Sequence, residues 1–134
     1  TGYQTMLSNT TGSGNTAYGS NALLVNSTAA NNTSVGYSSM RYNTTGTNNT
    51  AVGKDSLYQN TTGLKNVAVG KDAMYQNTTG DSNSAFGRSA LEANTTGAAN
   101  TAVGLNSLYF LTSTKIIASD FLLYLFISSS FLFL

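Results

Sequence analysis

The chain has 134 residues, a formal net charge of +1 and only 8% charged residues, with no cysteine, histidine, proline or tryptophan. These absences exclude a disulfide framework, cysteine- or histidine-based metal and redox centres, and the commonest general base. The near-zero net charge gives nucleic-acid binding no electrostatic basis, and we expect neither a cofactor nor enzymatic activity.

A 17-residue repeat organises the chain from its first residues. The chain starts within a repeat and lacks an initiator methionine, so we expect a fragment of a longer array. One glycine recurs at a constant interval, once in each repeat, at Gly2, Gly19, Gly36, Gly53, Gly70, Gly87 and Gly104. An asparagine keeps the same spacing, at Asn15, Asn32, Asn49, Asn66, Asn83 and Asn100. We number repeat positions from this asparagine, so that residues 49–65, NTAVGKDSLYQNTTGLK, are positions 1–17.

The constant phase of the repeat predicts the fold. Because no repeat is longer or shorter than its neighbours over residues 1–113, each should stack directly on the previous one as a coil of a solenoid. We therefore predict an all-β, parallel β-solenoid of about six and a half 17-residue coils over 1–113. Burial within one coil is too small to offset the conformational entropy of ordering it, so a coil needs neighbours.

Positions 1–5, Asn-Thr-Ala-Val-Gly in the third full repeat, predict a short strand. Position 4 is bulky, whereas positions 1, 3 and 5 are small and share the opposite face. We expect both faces to be buried, the small one against sister chains. The glycine at position 5 is predicted to end the strand at a corner with positive φ.

Positions 6–11 fit either a second strand or one helical turn, since alternation does not decide between them. Asn-Thr-Thr-Gly at positions 12–15 predicts a turn that the asparagine closes and in which the glycine has positive φ. Stacked copies of this asparagine should form a second ladder of side-chain amides beside the one at position 1. Its members are Asn9, Asn26, Asn43, Asn60, Asn77 and Asn94.

Three further rows have a structural and a functional interpretation. Lys54-Asp55 and Lys71-Asp72 fit a solvated face or an ion-binding or receptor patch. The tyrosines of position 10 fit packing along the rod or stacking against sugar rings; they are Tyr58, Tyr75 and Tyr109. The paired threonines of positions 13 and 14 fit turns or an ice-binding array, although adjacent side chains should point apart.

After Thr114 the 17-residue repeat ends, and residues 116–134 are strongly apolar. We treat 114–134 as a separate tail with three interpretations: a membrane anchor, an apolar element packed on the rod, or a non-native sequence. Residues 116–134 are the one segment through which we expect membrane contact.

The combination of Asn-Thr-Ala-Val-Gly at 49–53 and 100–104 with Asn-Thr-Thr-Gly resembles repeats of trimeric autotransporter adhesin heads and of phage and virus tail fibres. The resemblance covers the repeat region and leaves out the apolar tail. It implies three associated chains, an extracellular, cell-surface or virion location, and an adhesive or structural role. The implied ligand is a host surface, matrix or glycan of unknown identity. The alternatives are an ice-binding solenoid and a polysaccharide-active fibre, the second of which requires clustered acids that the sequence lacks.

Overall fold

The computed structural model describes residues 1–111 and 114–119. These residues form seven three-residue strands and no helix, in agreement with the predicted all-β solenoid. The strands are β1 Thr16–Tyr18, β2 Thr33–Val35, β3 Thr50–Val52, β4 Val67–Val69, β5 Ser84–Phe86, β6 Thr101–Val103 and β7 Ile117–Ser119. One parallel sheet contains them in sequence order, one strand from each coil.

The register repeats the sequence period. Thr50 pairs with Val67, its equivalent in the next repeat, and the same offset joins every strand from β1 to β6. The offset of the last pair is shorter by one, because Thr101 pairs with Ile117. The sheet therefore continues into the first residues of the predicted tail. The rest of that tail, residues 120–134, lies outside the described residues. The three interpretations of the tail therefore stay predictions.

The interior of each coil is narrow and is filled by small residues around one larger side chain. Ala51 at position 3, Ser56 at position 8 and Leu57 at position 9 are fully buried. Equivalent residues of successive coils pack into one continuous core. The expectation that the small strand face would meet sister chains is therefore wrong, because that face lines the interior of the same chain.

Positions 6–11 form turns, neither the second strand nor the helical turn considered from the sequence. The backbone is left-handed at two positions of this segment, with φ of 55° at Asp55 and 49° at Leu57. It is left-handed again at position 17, where Lys65 has a φ of 57°. Every coil repeats this pattern, which turns the chain inward without helical hydrogen bonding. A left-handed residue costs about 1–2 kcal/mol, so the stacked neighbours must stabilise it.

The two glycines of the repeat are required for different reasons. Position 5 has positive φ throughout, for example 135° at Gly53 and 136° at Gly70, which confirms the predicted corner. Gly63, at position 15, is not among the residues with positive φ, so the prediction for the Asn-Thr-Thr-Gly turn is wrong. A β-carbon at Gly63 would lie 2.6 Å from the carbonyl oxygen of Gly80, and this position needs glycine for space.

Hydrogen bonds join neighbouring coils outside the strands as well. Leu57 N donates to Ala73 O at 2.9 Å and Thr61 N donates to Thr78 O at 3.0 Å, both toward the following coil. Lys65 N donates to Thr47 O, in the preceding coil, at 3.0 Å. Each coil thus depends on both neighbours for its backbone partners, as expected for a solenoid. Within the described ranges, no helix is long and apolar enough to cross a membrane.

Candidate functional site

The position-12 asparagines form a buried ladder of side-chain hydrogen bonds. Asn60 Nδ2 donates to Asn43 Oδ1 at 2.7 Å, and Asn77 Nδ2 donates to Asn60 Oδ1 at 2.8 Å. Each amide also closes its own turn, as when Asn60 Nδ2 donates to Gly63 O at 3.0 Å. The predicted ladder is therefore present, and its amides take their partners from copies of themselves.

The position-1 asparagines form a second buried ladder with a different pattern. Here the main donor is the backbone: Asn66 N donates to Asn49 Oδ1 at 2.9 Å, and Asn83 N donates to Asn66 Oδ1 at 2.9 Å. The amide nitrogen points across the coil, where Asn49 Nδ2 donates to Gly63 O at 2.8 Å. Stacking from the sequence anticipated this ladder but not its use of the backbone N–H.

The two ladders meet at the carbonyl of position 15. Gly63 O accepts from Asn49 Nδ2 at 2.8 Å and from Asn60 Nδ2 at 3.0 Å. A carbonyl oxygen has two lone pairs, so these two amides fill its capacity. Both amides also reach the carbonyl of Ala29, so this contact does not itself require glycine. A β-carbon at Gly63 would instead clash with Asn60 Oδ1 and lie 2.9 Å from Asn77 Nδ2, so the glycine leaves space for the ladder step between these two amides.

Two departures from the repeat sequence weaken hydrogen bonding in the position-12 ladder. Ala29 occupies position 15 of its coil, and the step above it, Asn43 Nδ2 to Asn26 Oδ1, is 3.4 Å long. Leu111 occupies position 12 of its coil, and Asn94 Oδ1 is buried there without a hydrogen-bond partner. Each ladder step therefore depends on the residue types of the adjoining coils.

The bulky position-4 side chains point outward from the sheet and form what we call the outer row. Its members are Tyr18, Val35, Val52, Val69, Phe86 and Val103. The exposed fraction is 63% for Tyr18, 44% for Phe86 and 37% for Val52. The sequence placed these residues on a buried face, but the interior is already filled by alanine, leucine and asparagine. The outer row is thus an apolar stripe that residues 1–111 and 114–119 leave partly exposed.

The charged rows behave as local pairs. Lys54 Nζ lies 3.3 Å from Asp55 Oδ2, and Lys71 Nζ lies 2.6 Å from Asp72 Oδ2. Exposed pairs of this kind contribute little stability. Over residues 1–111 and 114–119, no three acidic, histidine or cysteine side chains gather as a metal site would need.

The position-10 tyrosines pack on one another. The rings of Tyr58 and Tyr75 are stacked, with centroids 4.8 Å apart and planes at 3°, and Tyr42 meets Tyr58 edge-on at 5.2 Å. Tyr109 Oη donates to Glu92 Oε1 at 2.8 Å. Burial raises the pKa of Tyr58, as does a hydrogen bond with Tyr42. Burial and then the negative charge of Asp55 and Asp72 raise the pKa of Tyr75.

The two threonines of each Asn-Thr-Thr-Gly turn point apart, as expected. Thr61 Oγ1 donates to Thr78 O at 3.0 Å, and Thr44 Oγ1 donates to Thr61 O at 2.9 Å. The second threonine, for example Thr62, is exposed. The hydroxyl of the first threonine is therefore engaged between coils, and the paired rows do not form one continuous hydroxyl array.

Comparisons of the chain with protein-family models, curated proteins and solved structures gave no match. The resemblance of its repeats to adhesin heads and tail fibres therefore stays a prediction.

Proposed function

We propose that the chain is a structural or adhesive segment of an elongated fibre, either the head of a cell-surface adhesin or part of a viral tail fibre. In this proposal three parallel copies associate side by side, and the fibre acts outside the cell or on a virion without catalysis. The observation that carries it is the outer row, an apolar stripe on a rod whose interior is already full. Burying such a stripe is favourable in proportion to its area.

The geometry of the outer row suits association between identical chains. Each coil contributes one residue, so the row extends over six coils from Tyr18 to Val103. A second copy has the same coil spacing, and its row can lie against the first over its whole length. The flanking position-2 residues are also uncharged, so close approach desolvates no ion; they are Thr16, Thr33, Thr50, Val67, Ser84 and Thr101.

The test is the mass of the 134-residue chain in solution, measured by sedimentation equilibrium. We expect three times the mass of one chain for the wild type. The double variant Val52→Lys/Val69→Lys should sediment as a folded monomer, because it places charges in the centre of the outer row. A matched control, Thr62→Lys/Thr79→Lys, adds the same charge to the exposed turn row and should stay trimeric. A monomeric wild type, or a trimer that survives the outer-row variant, would contradict the proposal.

Ice binding is the second candidate, and one observation favours it. Position-2 threonines and position-4 side chains share the outward face of one parallel sheet, so rows of hydroxyl and methyl groups repeat once per coil. Thermal hysteresis of the wild type and its loss in Thr33→Lys/Thr50→Lys would support this function. If the outer row is buried between copies, no thermal hysteresis is expected.

A further inference from the structure

A shallow groove lies beside the tyrosine column and crosses three coils. It has a volume of about 390 Å³, is largely open to solvent and is lined by Tyr42, Thr44, Gln59, Thr61 and Thr78. None of these residues belongs to the outer row. We propose that this groove binds a neutral saccharide, with the face of one sugar ring against the Tyr42 side chain.

The floor of the groove is apolar although threonines form it. Thr44 Oγ1 and Thr61 Oγ1 donate to the carbonyls of the following coil at 2.9 and 3.0 Å, and Thr78 Oγ1 donates to Thr95 O at 3.0 Å. With the hydroxyl groups engaged, the methyl groups remain to face the groove. Such a floor suits the C–H face of a sugar ring, which is apolar.

Tyr42 belongs to the lining of the groove and contacts two neighbouring side chains. The Arg41 guanidinium lies 5.4 Å from the centre of its ring, and the ring meets Tyr58 edge-on at 5.2 Å. Arg41 Nη1 also donates to Tyr58 Oη at 3.4 Å. Tyr42 itself is 39% exposed, whereas Tyr58 and Tyr75 cover each other by stacking. The ring available to a ligand is therefore Tyr42, outside the position-10 row that the sequence suggested.

Gln59 provides the polar group of the groove. Its carboxamide makes no hydrogen bond to the described part of the chain, so both its donor and its acceptor are available. A sugar hydroxyl can satisfy both, since it donates and accepts. A purely apolar side chain of a protein partner would instead leave the amide desolvated and unpaired, which costs about 1–3 kcal/mol.

The absence of charged residues from the groove lining favours a neutral ligand. Its five residues carry no formal charge, and the nearby Arg41 lies against the Tyr42 and Tyr58 rings. A few polar groups placed in an otherwise apolar groove are typical of small-molecule sites. The combination of ring, amide and methyl groups thus fits an uncharged sugar better than an acidic one.

The test is binding of the full chain to an array of neutral and acidic glycans, followed by saturation-transfer NMR with the best neutral oligosaccharide. We expect retention of neutral glycans and at least about tenfold weaker binding for Tyr42→Ala and Gln59→Leu. Gln59→Leu approximately preserves side-chain volume, so it still tests the groove if Tyr42→Ala perturbs folding. Tyr3→Ser, at an exposed tyrosine outside both the groove and the outer row, is the matched control and should bind as the wild type does.

Three results would overturn the proposal: no glycan retained, acidic glycans alone retained, or unchanged binding in both groove variants. The outcome is independent of the oligomeric state, because the monomeric variant Val52→Lys/Val69→Lys keeps the groove intact. Glycan binding by that monomeric variant would show that the groove binds sugar whether or not the chain forms a trimer.

Discussion

Asn43 Nδ2 lies 3.4 Å from Asn26 Oδ1, whereas the next step of the same ladder, from Asn60 to Asn43, is 2.7 Å. The coil below the long step carries Ala29 where other coils carry glycine. At the equivalent Gly46, an added β-carbon would lie 2.5 Å from Asn43 Oδ1 and 2.7 Å from Asn60 Nδ2. The methyl group of Ala29 therefore explains the stretched hydrogen bond.

Ala29→Gly should shorten this hydrogen bond. We expect the Asn43 side-chain amide protons to shift downfield in the NMR spectrum, toward those of Asn60 and Asn77. The free energy of unfolding should change by less than about 1 kcal/mol, because the stronger hydrogen bond is offset by the lost methyl burial and by a more flexible unfolded chain. An unchanged Asn43 amide shift would show that Ala29 does not cause the stretch.

Alanine at the two glycine positions should have unequal effects. Gly70→Ala puts a side chain at a φ of 136° and against the backbone carbonyl carbon of Gly87 at 2.6 Å. Gly63→Ala meets crowding alone, and the chain already carries alanine at the equivalent position 29. We expect a loss of about 1–2 kcal/mol for Gly63→Ala and more than about 3 kcal/mol for Gly70→Ala. Chemical denaturation of the two variants measures the difference, and equal losses would contradict the corner at Gly70.

Shape at the β-carbon should matter more than volume at Leu57. This residue is fully buried with a φ of 49°, a conformation that branched side chains resist. Position 9 contains only leucine and methionine, at Met6, Leu23, Met40, Leu57, Met74, Leu91 and Leu108. Leu57→Met should cost less than about 1.5 kcal/mol, and Leu57→Ile about 1–2 kcal/mol more. The thermal midpoints of the two variants provide the measurement, and an isoleucine variant as stable as the methionine variant would rule out the left-handed backbone there.

The raised pKa values of Tyr58 and Tyr75 make stability depend on alkaline pH. A phenol whose pKa is higher in the folded state holds its proton more tightly there, so its contribution is complete below the unfolded value of about 10. That contribution is lost as the pH rises from this value through the folded pKa. The double variant Tyr58→Phe/Tyr75→Phe should lose less stability than the wild type over the alkaline range above about pH 10. Thermal melts across this range test the sign, and identical pH profiles would contradict it.

The sequence predicted the features that depend on the period alone. Identical positions had to stack once residues such as Asn49 and Asn66 kept a constant spacing, and both amide ladders follow from that. Periodicity could also separate the two faces of a strand at Ala51 and Val52. It could not tell which face was internal, because hydrophobicity favoured valine, whereas the narrow coil has space only for alanine beside Leu57 and the asparagines.

The left-handed backbone of positions 7, 9 and 17 was not predicted from the sequence. Leucine and lysine give no sign of a left-handed backbone, yet Leu57 and Lys65 adopt it because the coils above and below hold them. The signals were the absence of valine and isoleucine from position 9 and the asparagine, aspartate or glycine that other coils carry at positions 7 and 17, such as Asn21, Asp72 and Asn31. The turn glycines misled for a related reason, since Gly63 provides space for two amides while Gly53 provides a positive φ. The groove could not be predicted either, because Tyr42 and the threonines of position 13 come together only when three coils stack.

Hydrogen exchange of the asparagine side-chain amides tests most directly the claim that two buried ladders hold the stack together. Asn49, Asn60, Asn66 and Asn77 are fully buried, whereas Asn48 is exposed and its side-chain Nδ2 donates to Thr47 Oγ1 at 3.5 Å. We expect the Nδ2 protons of the four buried asparagines to exchange as slowly as the most protected backbone amides, and those of Asn48 to exchange at once. Rapid exchange at all five asparagines would contradict this claim.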